Sequence, residues 1–255
     1  MSTAEGRVRT EDHGRVRVLE FHRPTRANAF DVALYRAATE ALLAADGDPE
    51  VAALVLTGAG RSFTAGTDLA EMADTAEGSS GPPFDTFLDA VVAFGKPLLA
   101  AVNGAGVGLG LTLLAHCDLV LVSENARLRA PFTAMGVVPE AASSYLLPQR
   151  MGFQRATEAL LTSEWISASS AVESGLALRV CAPDDLLPET IALAQKIAAH
   201  PDASVRATKA LITASRRDAV ADARRREGAA FAEILQSPAM GAAIRGHLAS
   251  QKGSS

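Results

Sequence analysis

Apolar and polar positions alternate along residues 15–21, "RVRVLEF", with the two-residue period of a half-buried strand. "RPTRANAF" breaks the pattern. Asp31 then stands where it can cap a helix running to about Ala45, with apolar positions at Val32, Leu34, Tyr35, Ala38 and Leu42. Residues 52–58, "AALVLTG", are apolar without alternation, as expected of a short strand covered on both faces. A Gly-, Ser- and Thr-rich loop, "GAGRSFTAGTDL", follows. Residues 76–85, "AEGSSGPPFD", read either as a mobile flap or as a plain linker. Phe87, Leu88, Val91 and Val92 predict the next helix. "KPLLAAVN" predicts another buried strand, "GVGLGLTLLAH" a helix entered through glycines, "CDLVLVS" a strand and "ARLRAP" a short extended piece. Helices dominate from about Ala141, with breaks such as "RVCAPDD". Residues 203–252 predict two or three amphipathic helices. Alternating strands and helices imply an α/β core. The helical C-terminus packs on that core or on a neighbouring subunit.

Composition narrows the class. The chain has 255 residues, 48% hydrophobic and 21% charged, which suits a globular protein with a sizeable core. A net charge of −5 argues against a nucleic-acid face. The N-terminal "MSTAEGRVRTEDHG" is polar and has no apolar signal core. Residues 97–115 carry no charge over nearly the length of a membrane span. Asn103 and glycines 104, 106, 108 and 110 nevertheless mark that stretch as a loop turning into a helix inside a protein. The expectation is a soluble, cytoplasmic chain with no membrane partner. Cys117 and Cys181 lack metal-ligand spacing and read as buried, inert thiols, so no metal is expected. The arginines at 216, 217 and 224 to 226 read as solvated faces, salt-bridged to acids such as Asp218, Asp222 and Glu227.

Common catalytic signatures are missing. "GAGVGLG" fails the dinucleotide spacing, because Leu109 and Leu111 stand where a third glycine is needed. There is no Walker motif, no HExxH, and no GxSxG around Ser143 or Ser144. His116, at a helix end, reads as a cap on carbonyls. Two loops remain, "FTAGTDL" and "NGAGVGLG", each running from a buried strand to a helix. Glycine lets backbone approach a ligand and leaves amides uncovered. Side by side, the two loops would form an oxyanion hole; separately, they are turns. Glu140 in "GVVPEAASSYLLP" also has two readings. Pro-Glu is ordinary turn chemistry, and the apolar surroundings suit a carboxylate held dry to move a proton.

"RSFTAGTDLAEM", "KPLLAAVNGAGVGLGLTLLAHCDLVLVSENARLRAPF" and "GVVPEAASSYLLP" together resemble the crotonase superfamily, which includes enoyl-CoA hydratases and isomerases. The resemblance runs in order and spacing from about Arg15 to Ala182, and more weakly beyond. It implies a spiral of repeated ββα units over residues 1–200 with an acyl-CoA site. It also implies a helical region, 201–255, used in assembly of a homotrimer or hexamer. CoA would be part of the substrate, with no separate cofactor. The implied oxyanion donors are the backbone N–H groups of Thr67, after Ala65-Gly66, and of Leu109, after Gly108. Leu109 stands where the family's turn usually has a glycine, which narrows the pocket. Arg26 and Ala27 fall at CoA-contacting positions, and the Ala65 carbonyl falls where the adenine is met. Asp68 reads as ordering the next helix beside the substrate. The Lys-Arg pair of many hydratases is not found in "AIRGHLASQKG".

Hydratases of this family use two glutamates to orient and activate water. Those positions, at the edge of the expected substrate site, hold Thr112 and Phe132 here. The resemblance therefore implies that hydration by the usual route is lost. It points to a Δ3,Δ2-enoyl-CoA isomerase with Glu140 as its single base, in that group's "PEG"-like segment with Ala141 for the glycine. Phe132, Val137 and Val138 are expected to keep that carboxyl dry and raise its pKa. The alternatives are a hydratase or other crotonase-type reaction, such as hydrolysis or dehalogenation, and a non-catalytic acyl-CoA-binding protein.

Overall fold

The computed structural model describes residues 7–68 and 81–235. The alternating stretch forms β2 (Val16–Phe21), paired antiparallel across a turn at Gly14 with β1 (Val8–His13). β1 is hidden in the polar N-terminal pattern because it is an edge strand, where charged side chains face water.

Beyond β2 a single step recurs. β3 (Ala53–Gly58) leads into β4 (Ser62–Thr64), β5 (Leu98–Val102) into β6 (Ala105–Val107), and β7 (Leu119–Ser123) into β8 (Arg127–Arg129). The first strand of each pair joins a six-stranded sheet ordered β1-β2-β3-β5-β7-β10, where β10 is Arg179–Cys181. The second joins a four-stranded sheet ordered β4-β6-β8-β9, where β9 is Ile166–Ser167. From β2 to β10 the large sheet is parallel. This is the α/β spiral of ββα units that the resemblance implies, with helices following.

The helices are α1 (Val32–Gly47), α2 (Gly81–Ala93), the single turn α3 (Leu109–Thr112), α4 (Ser143–Met151), α5 (Phe153–Thr162), α6 (Ala168–Glu173), α7 (Leu186–Ala198), α8 (Asp202–Ala214) and α9 (Arg217–Leu235). Asp31 caps α1, its carboxylate accepting from the Leu34 N–H at 2.8 Å. The glycine-rich run expected to open a helix directly first makes β6. Residues 81–85 of the expected flap begin α2, and 76–80 lie outside the described residues, as does "AIRGHLASQKG".

The unbroken apolar strands are explained by burial on both faces. Leu54, Leu56, Leu98 and Ala100 enter the main core with Leu34, Leu42, Phe87 and Leu88. Their neighbours Val55, Leu99 and Ala101 enter a second core with Leu186 and Ala194 of α7. Among the described residues no helix is long and apolar enough to cross a membrane. Cys117 and Cys181 are buried, and burial pushes their thiols up to about 12 and about 11.

The C-terminal charges correct one expectation. Arg225 does pair with Asp222, at 2.6 Å. Arg224 instead reaches Asp89 of α2, at 2.6 Å, and Asp85, at 3.5 Å. Glu227 is not on the solvated face at all. It lies four residues after Ala223 and seven after Val220, on the stripe of α9 that faces the core.

Candidate active site

The segment before α1 and the loop after β4 are zipped together. Phe30 donates its N–H to the Gly66 carbonyl at 2.7 Å and accepts from the Asp68 N–H at 2.9 Å. Ala65 donates to the Ala27 carbonyl at 2.9 Å, which brings Ala27 and exposed Arg26 beside Ala65. Asn28 is buried with φ 56°, a conformation asparagine tolerates better than most residues. Its amide donates to the carbonyls of Ala59, at 2.9 Å, and Ser62, at 2.8 Å. The Phe30 ring anchors the segment against Phe21 and Tyr35, each at 4.9 Å between centroids. The Asp68 carboxylate is held by Arg23 at 2.6 Å, and Arg23 also meets Asp31 at 3.3 Å. Asp68 therefore joins the two segments through Arg23; the helix it was expected to order lies outside the described residues.

This zipper fixes the two amides. Gly66 has φ 82°, and a Cβ built there would lie 2.5 Å from the Val107 carbonyl oxygen and 3.2 Å from the Leu109 nitrogen. The peptide leading into Thr67 thus runs against the start of α3, in contact that only glycine permits. Gly108, with φ 55° and ψ −115°, turns the chain so that Leu109 opens α3. Among the described residues neither the Thr67 nor the Leu109 N–H has a hydrogen-bond acceptor. The Thr67 hydroxyl meets the Tyr35 hydroxyl at 2.7 Å. Tyr35 is a site neighbour that sequence patterning files only as core.

Thr112 ends α3 and is fully buried. Its hydroxyl donates to Glu140 Oε1 at 2.6 Å. Among the described residues Glu140 Oε2 is buried with no hydrogen-bond partner. Phe132, Val137 and Ala141 are buried in the main core, while Val138 is half-buried. Burial pushes the Glu140 carboxyl up to about 8, opposed by the Thr112 bond and aided by the charge of Glu227. A carboxyl with a folded pKa of about 8 and an ordinary value of 4.5 binds more protons folded than unfolded. Its contribution to stability is full below pH 4.5 and declines as pH rises to 8, by about 1.4 kcal/mol per unit of separation. Calorimetry between pH 5 and 8 is expected to show Tm falling more steeply in the wild type than in Glu140→Gln. Parallel slopes would place the carboxyl in water.

Glu140 is also a turn residue. Its carbonyl accepts from the Ser143 N–H at 3.0 Å, and the two residues between, Ala141 and Ala142, have φ of 58° and 57°. Left-handed alanine costs about 1–2 kcal/mol per residue. Two distant side chains hold the turn. His116 contacts the Ala141 carbonyl through Nε2 at 2.7 Å. Burial pushes that imidazole down to about 4, so at neutral pH it is uncharged and Nε2 carries the proton. Glu227 accepts from the Ala142 N–H at 2.7 Å and the Ser144 N–H at 2.9 Å. Burial pushes the Glu227 carboxyl up, against the Ser144 and Ala142 bonds.

Two sheets wound in ββα steps, with helices packed on them, are the fold of the crotonase-type acyl-CoA enzymes. The chain belongs to the enoyl-CoA hydratase/isomerase family, whose sequence model matches residues 11–248. It is similar to a probable enoyl-CoA hydratase of Rhizobium meliloti, 37% identical over 190 residues covering 74% of each chain. It is similar too to 4-chlorobenzoyl coenzyme A dehalogenase-2 of an Arthrobacter species, 33% identical over 78% of this chain and 75% of that one. An enoyl-CoA hydratase/isomerase structure from Pseudoalteromonas atlantica superposes with a TM-score of 0.91 at 36% identity, covering 96% of this chain and 97% of that one. These names include hydratases and a dehalogenase and do not single out the isomerases.

Proposed function

We propose that the protein shifts the double bond of a 3-enoyl-CoA to the 2-position, with Glu140 as the single proton carrier. The observation that carries this reading is the carboxyl of half-buried Glu140, bonded through one oxygen to Thr112 and, among the described residues, buried and unpartnered at the other. As carboxylate, Glu140 takes a proton from C2. The C2 electron pair delocalises onto the thioester oxygen and C4, where the N–H groups of Thr67 and Leu109 stabilise the dienolate oxygen. The protonated carboxyl then delivers its proton to C4, leaving the conjugated C2=C3 bond. A pKa near 8 suits a group that must both take and return a proton near neutral pH. Arg26, Ala27 and the Ala65 carbonyl would meet the CoA moiety, and Leu109 and Phe132 would border the acyl chain. Exposed Leu211 and Ile212 on α8 support self-association into a trimer or hexamer.

Hydration is the second reading, favoured by the hydratase name of the Rhizobium relative. Thr112 and Phe132 argue against it, since neither is a carboxylate able to activate water. One experiment separates the two. Purified protein receives a 3-enoyl-CoA and, separately, a trans-2-enoyl-CoA, and the conjugated thioester absorbance is followed. A rise with the first substrate and no loss with the second supports the isomerase. Loss with the second makes it a hydratase, and binding without either change makes it an acyl-CoA-binding protein.

A further inference from the structure

Glu227 is a buried carboxylate that the proposed reaction leaves unused. It is 8% exposed, beside Val220 and Ala223 of the same core-facing stripe. A carboxylate in such a place is costly unless its hydrogen bonds are made. Among the described residues all of its bonds go to one short stretch of backbone and one hydroxyl. Oε2 takes the Ala142 N–H at 2.7 Å, and Oε1 takes the Ser144 N–H at 2.9 Å and the Ser144 hydroxyl at 2.5 Å.

We propose that Glu227 is a positioning residue for Glu140: together with His116 it clamps the Ala141-Ala142 turn in its left-handed form and thereby sets where the Glu140 carboxyl points. This inference rests on the reading of Glu140 as the base. Alanine has no intrinsic preference for φ near 58°, so the conformation persists because its surroundings impose it. His116 holds the carbonyl of Ala141, and Glu227 holds the amide of Ala142. Among the described residues the Glu140 side chain has one hydrogen bond, to Thr112, so its aim depends on the backbone beneath it.

The charge of Glu227 acts as well as its shape. Among the described residues the titratable groups around Glu140 are Tyr35 of α1, His116 after α3 and Glu227 of α9. Arg226 neighbours Glu227, and Arg150, Arg216 and Arg224 surround His116. Of these, Glu227 opposes ionisation of Glu140. Removing its charge lets Glu140 ionise at lower pH.

The test compares full-length wild type, Glu227→Gln and Glu227→Ala. One readout is the pH profile of kcat/KM for the double-bond shift. The other is the infrared carboxyl band of Glu140, identified as the band lost in Glu140→Gln. Glu227→Gln is expected to move the acid limb of the profile and the titration of the band to lower pH together. Glu227→Ala is expected to lower kcat further, about 10- to 100-fold, with KM little changed. If the variants lose only thermal stability while the band titrates as in wild type, Glu227 is a helix cap and the proposal is overturned. Should Glu227→Ala fail to fold, Glu227→Gln decides. The band reads Glu140 without turnover, so a wild type that shifts no double bond defeats the proposed reaction and leaves this test intact.

Discussion

Glu140→Gln is expected to abolish the double-bond shift, lowering kcat by about 10²–10⁴-fold while leaving KM nearly unchanged. Glutamine matches the volume of glutamate and still offers Oε1 to the Thr112 hydroxyl, which donates to Glu140 at 2.6 Å. The turn around it is held by backbone groups, His116 and Glu227, none of which the substitution touches. Substrate binding and the paired amides therefore survive, and only proton transfer is lost. The measurement is steady-state kinetics on a 3-enoyl-CoA across pH, with acyl-CoA affinity determined by calorimetry. Wild-type kcat/KM is expected to rise through about pH 8 as the carboxyl ionises. A Gln variant that retains full activity moves the proton carrier elsewhere in the pocket.

Gly66→Ala carries the second large effect, through the backbone. The added Cβ would lie 2.5 Å from the Val107 carbonyl oxygen and 3.2 Å from the Leu109 nitrogen, at a φ of 82°. Both obstacles are main chain, so the loop after β4 and the start of α3 must part. The N–H groups of Thr67 and Leu109, proposed to meet one oxygen, are then moved apart. Losing one such donor costs about 10²–10³-fold in kcat. Thermal stability falls as well, so the comparison is made at a temperature where circular dichroism shows the variant folded. A folded Gly66→Ala enzyme within a few-fold of wild-type kcat would rule out the paired amides as the oxyanion hole.

Much of the scaffold is legible in local pattern. β2, β3, β5 and β7 lie where alternating or unbroken apolar runs predict them, and Asp31 caps α1 as its position suggests. The two-residue and 3.6-residue periods are local properties, so a single chain segment displays them. β1 escapes because an exposed edge strand has no apolar period to show. The ββα repeat escapes local pattern because each turn buries different residues; the family resemblance implies it and the sheet order shows it.

The site divides along the same line. The glycine loops and Glu140 stand out through residue type and spacing, with Glu140 left between a turn and a base; Thr112 is singled out by the family resemblance. Tyr35, Arg23, His116 and Glu227 do not, because each acts on a partner far along the chain. Glu227 is 85 residues from the Ala142 amide it accepts, and nothing in its own neighbourhood, "RRREGAA", marks it as other than a surface acid. Its stripe with Val220 and Ala223 is the one available signal.

By itself the sequence determined the α/β element order and the two glycine loops, which follow from short-range periodicity and residue type. The family resemblance added that Thr112 and Phe132 stand where hydratases are expected to carry glutamates. Only the tertiary structure decided that Glu140 is at once a turn residue and an acid with one oxygen buried. It also decided that its strained turn is clamped from α9 and from the end of the α3 segment. Desolvation and long-range hydrogen bonding depend on what the whole fold brings around a group, and no local stretch of chain contains that information.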